Sequence, residues 1–125
     1  MKKKELDVNP FKFILPKEIF DFFEVIDIKD DAQRIDIFLD ELAIKPEKYE
    51  QEKMESKGFH SEILIQDFPL RERAVFLHVR RRKWLLISSG EIISRNWELV
   101  AKGTRFTKEF AVFLKGIFRQ IPDQQ

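Results

Sequence analysis

Cysteine is absent from the chain, so neither a disulfide nor a thiolate metal site can belong to its fold. Only two histidines are present, His60 and His78, too few to supply an ordinary zinc cluster. Glycine is scarce too: Gly58, Gly90, Gly103 and Gly116 stand singly, which excludes a glycine-rich phosphate loop. Long apolar runs are missing. The basic start MKKKELDVNP leads into FKFILP, which is short and closed by Pro16, so the expectation is a cytoplasmic protein with no membrane attachment.

What the chain does have is phenylalanine, at 13 of its 125 positions, and charge, at 36% of them. A 15.0 kDa chain of this composition suits one compact domain with a modest core and a well-solvated surface. Its net charge of +1 is a cancellation, because residues 1–56 carry 10 basic and 15 acidic residues and residues 57–125 carry 13 and 7. Positive charge gathered in one half can present a directed basic face.

The most informative stretch is Ala74 to Trp84, AVFLHVRRRKW. Read at period two, Val75, Leu77 and Val79 share one face, and Phe76, His78, Arg80, Arg82 and Trp84 share the other. Four adjacent cations in a strand repel one another unless an anion or local carboxylates neutralise them. Aromatic and guanidinium groups in alternation also suit phosphates and base faces.

In chain order, residues 1–10 read as a polar lead-in, and Pro16 opens a helix of about two turns carrying Ile19, Phe20, Phe22 and Phe23. Val25–Ile28 and Ile35–Leu39 then form a hairpin, with Ile35, Ile37 and Leu39 on the core and Asp36 and Asp40 outward. Residues 43–58 are a charged connection with a helical turn near Glu47. Strands over 59–68, 74–87 and 92–99 make a three-stranded antiparallel sheet. Thr107 caps a final amphipathic helix that buries Phe110, Phe113, Leu114 and Ile117, with Phe106 as a staple at its entry. The expected class is α+β: a short helix and β-hairpin in residues 1–55, then a small antiparallel sheet and a C-terminal helix in residues 56–125, packed as one unit.

No catalytic constellation emerges. His60 and His78 could approach each other on neighbouring strands near Glu62 or Asp67, but Ser61, Ser88, Ser89 and Ser94 lack the special turn of a nucleophile. The chain is expected to be no enzyme and to need no cofactor.

Ser56-Lys57-Gly58-Phe59-His60, Ile65-Gln66-Asp67-Phe68-Pro69-Leu70-Arg71, Val79 to Trp84 and Gly103 to Phe110 together resemble the N-terminal region protein that accompanies ISAon-type transposases of bacterial insertion sequences, a branch of the ISL family. The likeness runs over residues 14–118. Larger transposases of that family begin with a zinc-ribbon-like module, followed by a helix-turn-helix and an acidic-triad catalytic domain. Here the cysteines and the catalytic domain are missing, so the resemblance implies a metal-free sheet and a companion polypeptide that carries the chemistry.

Residues and resemblance thus converge on a DNA-binding accessory protein that recognises transposon ends. Arg80, Arg81, Arg82 and Lys83 would contact phosphates, Trp84 and Trp97 would offer aromatic surface, and Arg71, Arg73, His78, Arg95, Lys102, Arg105 and Lys108 would widen the patch. Other readings stay open. The tryptophans could be core, Arg80 to Lys83 could pair with the chain's own acidic hairpin, and the Phe-rich helix could dock on the companion without any DNA contact. Self-association is likewise open. One consequence is direct: without metal ligands, the circular dichroism spectrum and melting temperature should be unchanged in excess chelator, and a loss of structure there would refute the metal-free fold.

Overall fold

Strict alternation in RIDIFLDE and RAVFLHVR sets the two central strands, since each can bury one side chain in two. The computed structural model describes residues 9–103 and 105–121; most of the lead-in therefore lies outside the described residues. Strand β1 (Phe23–Asp30) and β2 (Arg34–Glu41) form the acidic hairpin, β3 (Met54–Phe59) follows, and β4 (Ile63–Leu70) and β5 (Arg73–Arg80) form a second hairpin. Then come β6 (Arg82–Leu86), β7 (Ile92–Ile93), helix α1 (Trp97–Gly103) and helix α2 (Lys108–Arg119). The expected α+β class is what is observed.

Two sheets result. One has the order β1-β2-β5-β4 and the other β3-β6-β7. The two hairpins of the larger sheet meet through β2 and β5, which run parallel, with Ile35 opposite Val75, Ile37 opposite Leu77 and Leu39 opposite Val79. That register puts six branched aliphatic side chains on one face. With Ile63 and Ile65 of β4 they pack into a single core with Leu15, Ile19, Phe23, Trp97 and the α2 residues Phe110, Phe113, Leu114 and Ile117. The core therefore draws on residues both before and after position 55.

Trp97 is fully buried at the centre of an aromatic cluster, stacked on Phe23 at 5.3 Å and meeting Phe22 edge-on. Helix α2 is entered as expected: the Thr107 hydroxyl accepts from the Phe110 N–H, and Phe106 packs edge-on against Phe110 at 5.7 Å. The cap is tied to the start of the chain as well. Glu18 accepts the Thr107 N–H at 2.7 Å and the Thr107 hydroxyl at 3.2 Å, which is the task that a glutamate within the helix has in a capping box.

Several boundaries differ from expectation, each for a physical reason. The first helix is only a 3-10 turn, Lys17–Asp21, with a similar turn at Pro10–Phe13 before it. The single strand expected over 59–68 is two: β3 ends at Phe59 after a bulge at Gly58, whose φ of +79° suits glycine, and β4 starts at Ile63. The strand expected over 74–87 breaks at Arg81. Odd-numbered residues are buried in β5 and even-numbered ones, Trp84 and Leu86, in β6, so the two runs cannot belong to one flat strand. Beyond Ile93 the chain turns helical rather than extended, because the Asn96 side chain accepts the N–H groups of Glu98 and Leu99. The three-stranded antiparallel sheet is present, but its strands are 54–59, 82–86 and 92–93.

Gly116 shows how closely α2 lies on the sheet. A Cβ at this position would come within 2.7 Å of Ile65 Cγ2, a stiff β-branched methyl that is itself buried. Alanine would raise helix propensity by about 1 kcal/mol, yet overpacking of about 1–3 kcal/mol should outweigh it. Gly116→Ala is therefore expected to lower the denaturant midpoint, and to do so less in an Ile65→Ala background. Unchanged or raised stability in the single variant would refute this close packing.

Candidate nucleic-acid interface

The face of the larger sheet away from the core is built by the same β2–β5 register. It sets Asp36 opposite Phe76, Phe38 opposite His78 and Asp40 opposite Arg80. Arg80 makes a two-pronged ion pair with Asp40, both hydrogen bonds 2.6 Å, and its guanidinium lies over the Phe59 ring. Arg34 is bound to Asp36 in the same manner and stacks on Phe76 at 4.0 Å. Arg73 pairs with Asp30. Positive side chains of the basic strand thus meet carboxylates of the acidic hairpin along its length.

His78 occupies the middle of this face. Its ring stacks on Phe38 at 4.2 Å, Nε2 donates to Asp36 at 2.6 Å and Nδ1 donates to Glu62 at 2.7 Å. A neutral imidazole carries one N–H and could satisfy only one of these carboxylates, so the geometry calls for the doubly protonated ring. Burial pulls the His78 pKa down, but the bonds to Asp36 and Glu62 outweigh it and the net shift is upward. Hydrogen bonds from Arg34 and then His78 hold Asp36 down at about 2.

At the end of β2 the Glu41 side chain is buried and joins three segments. One carboxylate oxygen accepts the Arg82 N–H at 3.1 Å, and the other accepts Arg95 Nε at 3.2 Å. Arg95 also donates to the Ile44 carbonyl, and Arg82 to the Glu41 carbonyl and to Ser56. Burial pushes the Glu41 carboxyl up, against the opposing pull of the Arg82 N–H and Arg95.

These contacts sort the residues expected to hold DNA. Trp84 and Trp97 are buried, so neither provides aromatic surface: β6 turns Trp84 inward and α1 places Trp97 in the core. Arg73, His78, Arg80, Arg82 and Arg95 are engaged within the chain; of the Arg80 to Lys83 run that the sequence left open as a clamp on the acidic hairpin, Arg80 makes an ion pair with it and Arg82 bonds the Glu41 carbonyl. Arg71 is exposed on the two-residue turn between β4 and β5, and Lys102, Arg105 and Lys108 are exposed along the α1–α2 connection. None of these four has an acidic partner among the described residues, and they are spread over separate elements.

Arg81 and Lys83 are different. They stand two positions apart, Arg81 at the β5–β6 break and Lys83 in β6, and both are partly exposed. The His60 N–H donates to the Arg81 carbonyl at 2.8 Å, and the pairing of Trp84 with Ile93 sets Lys83 beside Ser94. His60 Nε2 and Ser94 Oγ are 2.5 Å apart. Burial, then the charges of Arg81 and Lys83, lower the His60 pKa. Burial likewise lowers that of Arg81, with Glu41 opposing in part. Arg81 Nε is buried and has no hydrogen-bond partner among the described residues.

No family model, curated protein or solved structure matches the chain. The site is therefore argued on its own geometry. Among the described residues no group of three histidine, aspartate or glutamate side chains is arranged to hold a metal, and no helix is long and apolar enough to cross a membrane. His60 and Ser94 were not part of the expected interface. Only the strand register, which brings together residues 34 positions apart, could have revealed them.

The His78 geometry has a pH signature. Its pKa is raised on folding, so its stabilising contribution is complete below the ordinary value of 6.5 and is lost as pH rises through the higher folded value. The melting temperature should therefore fall over that interval in wild type and not in His78→Gln. Equal pH profiles for the two proteins would count against a charged ring between Asp36 and Glu62.

Proposed function

We propose that this chain is the non-catalytic DNA-binding component of a split bacterial insertion-sequence transposase, recognising transposon ends for a companion polypeptide that performs the chemistry. The observation that carries the reading is the division of the basic run. Arg80 is ion-paired with Asp40 and Arg82 is hydrogen-bonded to the Glu41 carbonyl and Ser56, whereas among the described residues Arg81 and Lys83 have no ion-pair partner. Cations that no carboxylate of the chain bonds directly are the ones best placed to neutralise phosphates. The family resemblance over residues 14–118 supplies the companion and the class of DNA.

Two other readings are weaker. Docking through the Phe-rich helix loses its main surface, since Phe110, Phe113 and Ile117 are spent on the chain's own core. A Ser94–His60 nucleophile would need its histidine to accept a proton, and the adjacent Arg81 and Lys83 oppose that charge with no carboxylate bonded to the ring.

Binding to a duplex bearing a terminal inverted repeat should weaken with salt, with a log-log slope of about −0.9 per phosphate contacted. Replacing Arg81 and Lys83 by Ala should flatten the slope by about two contacts and leave the melting temperature nearly unchanged. Arg80→Ala should do the reverse, since it strands Asp40 without its partner. Gel-shift titrations at three salt concentrations, with a scrambled duplex as control, read these outcomes. No binding by wild type to either duplex, alone or with the companion, would overturn the proposal.

A further inference from the structure

We infer that His60, Arg81, Lys83 and Ser94 form one seat for a phosphodiester oxygen, and that His60 takes up a proton when the phosphate arrives. The inference rests on the DNA-binding reading and says how one phosphate would be held. Strand pairing fixes the group: His60 lies beside Arg81 through a backbone hydrogen bond, Ser94 lies beside Lys83, and the His60 and Ser94 side chains meet across β6.

All four side chains are partly accessible, and all can donate. Arg81 brings a planar fork whose Nε has no acceptor, Lys83 a mobile ammonium, and Ser94 a hydroxyl. Arg81 Nε is itself closed to solvent, so a phosphate oxygen would be held through the charge and the accessible part of the guanidinium. The charged groups facing His60 are Arg81 at the β5–β6 break and Lys83 of β6, and both are positive. On its own strand, Lys57 and Glu55 are paired with each other. Glu41 reaches this group only through its field on Arg81.

The proton follows from charge. Between two cations the neutral imidazole is favoured, which matches the downward shift of the His60 pKa. A phosphodiester brings one negative charge, offsets the repulsion and favours the imidazolium, which then adds a charged donor to the bound state. Affinity should therefore rise as pH falls from the bound-state pKa of His60 toward its lower free-state value. His78 does not share this linkage, because its ring bonds Asp36 and Glu62 and takes no part in the seat.

The test is fluorescence anisotropy of a terminal-repeat duplex from pH 5.5 to 8.5 at constant ionic strength, with an NMR titration of the His60 ring in free and bound protein. One linked proton should strengthen wild-type binding by up to about tenfold per pH unit across that window. His60→Gln should flatten the dependence, and His78→Gln should keep it. Ser94→Ala should weaken binding at every pH with the slope retained. The ring titration covers the case in which His60→Gln folds poorly, and the pKa should be higher in the complex. Binding that is independent of pH, or an unchanged His60 pKa on binding, overturns the seat and leaves the DNA reading standing. Absence of binding at every pH overturns both.

Discussion

The structure depends on one register, the parallel pairing of β2 with β5. Parallel strands normally need a long crossover, and here the chain between Glu41 and Arg73 provides it, making β3 and β4 on the way. Because the side-chain period is two, a single alignment governs both faces at once. On the inner face it stacks aliphatic on aliphatic and gives α1 and α2 a surface to cover. On the outer face it sets acid against base. A slip of β2 by one residue would bury Asp36 and Asp40 and expose Ile37 and Leu39, so the ion pairs and the core select the same alignment.

That dual selection explains the odd charge balance of the sequence. An acidic first half and a basic second half look like separate surfaces when counted, but Asp36, Asp40 and Glu41 are consumed by His78, Arg80, Arg82 and Arg95. The partly exposed pairs add modestly to stability, and their larger effect is on specificity, since each wrong register would leave charges unmatched. Glu41 differs from them because it is buried, and it joins the hairpin to the small sheet and to the approach to α1.

Much of this was legible in the residues. The alternation in Ile35–Leu39 and Val75–Val79, the Thr107 cap and the apolar stripe of α2 are local patterns that burial does not override. The missed features are those in which local pattern and tertiary partner disagree. Ile92 to Leu99 reads as a strand by composition, yet Asn96 caps a helix and Trp97 completes an aromatic core made by Phe22, Phe23 and Phe110. The β5–β6 break was present in the sequence as an odd spacing between Val79 and Trp84, but it is decisive only when both are known to be buried. Which cations are neutralised could not be read, because Arg80 and Arg81 are identical side chains separated by one position.

Position within the pleat is what makes those two arginines different. Arg80 points to the face where β2 supplies Asp40, and Arg81, one residue on, sits at the break where the chain leaves that sheet. The strand thereby changes partner as its basic run begins, and successive cations are delivered to opposite environments: Arg80 to the hairpin, Arg81 and Lys83 outward, Arg82 back toward Glu41. A run of four cations that would repel one another in an isolated strand is thus divided, with Arg80 paired to Asp40 and Arg82 bonded to the Glu41 carbonyl and Ser56. Arg81 and Lys83 lie next to a histidine and a serine, and Glu41 acts on Arg81 through its field without bonding it. Compensation of Arg80 by Asp40 also reduces the repulsion that Arg81 and Lys83 would otherwise meet along the run. The acidic hairpin and the outward basic pair are therefore two parts of one electrostatic arrangement, in which the first makes the second tolerable in the absence of an anion.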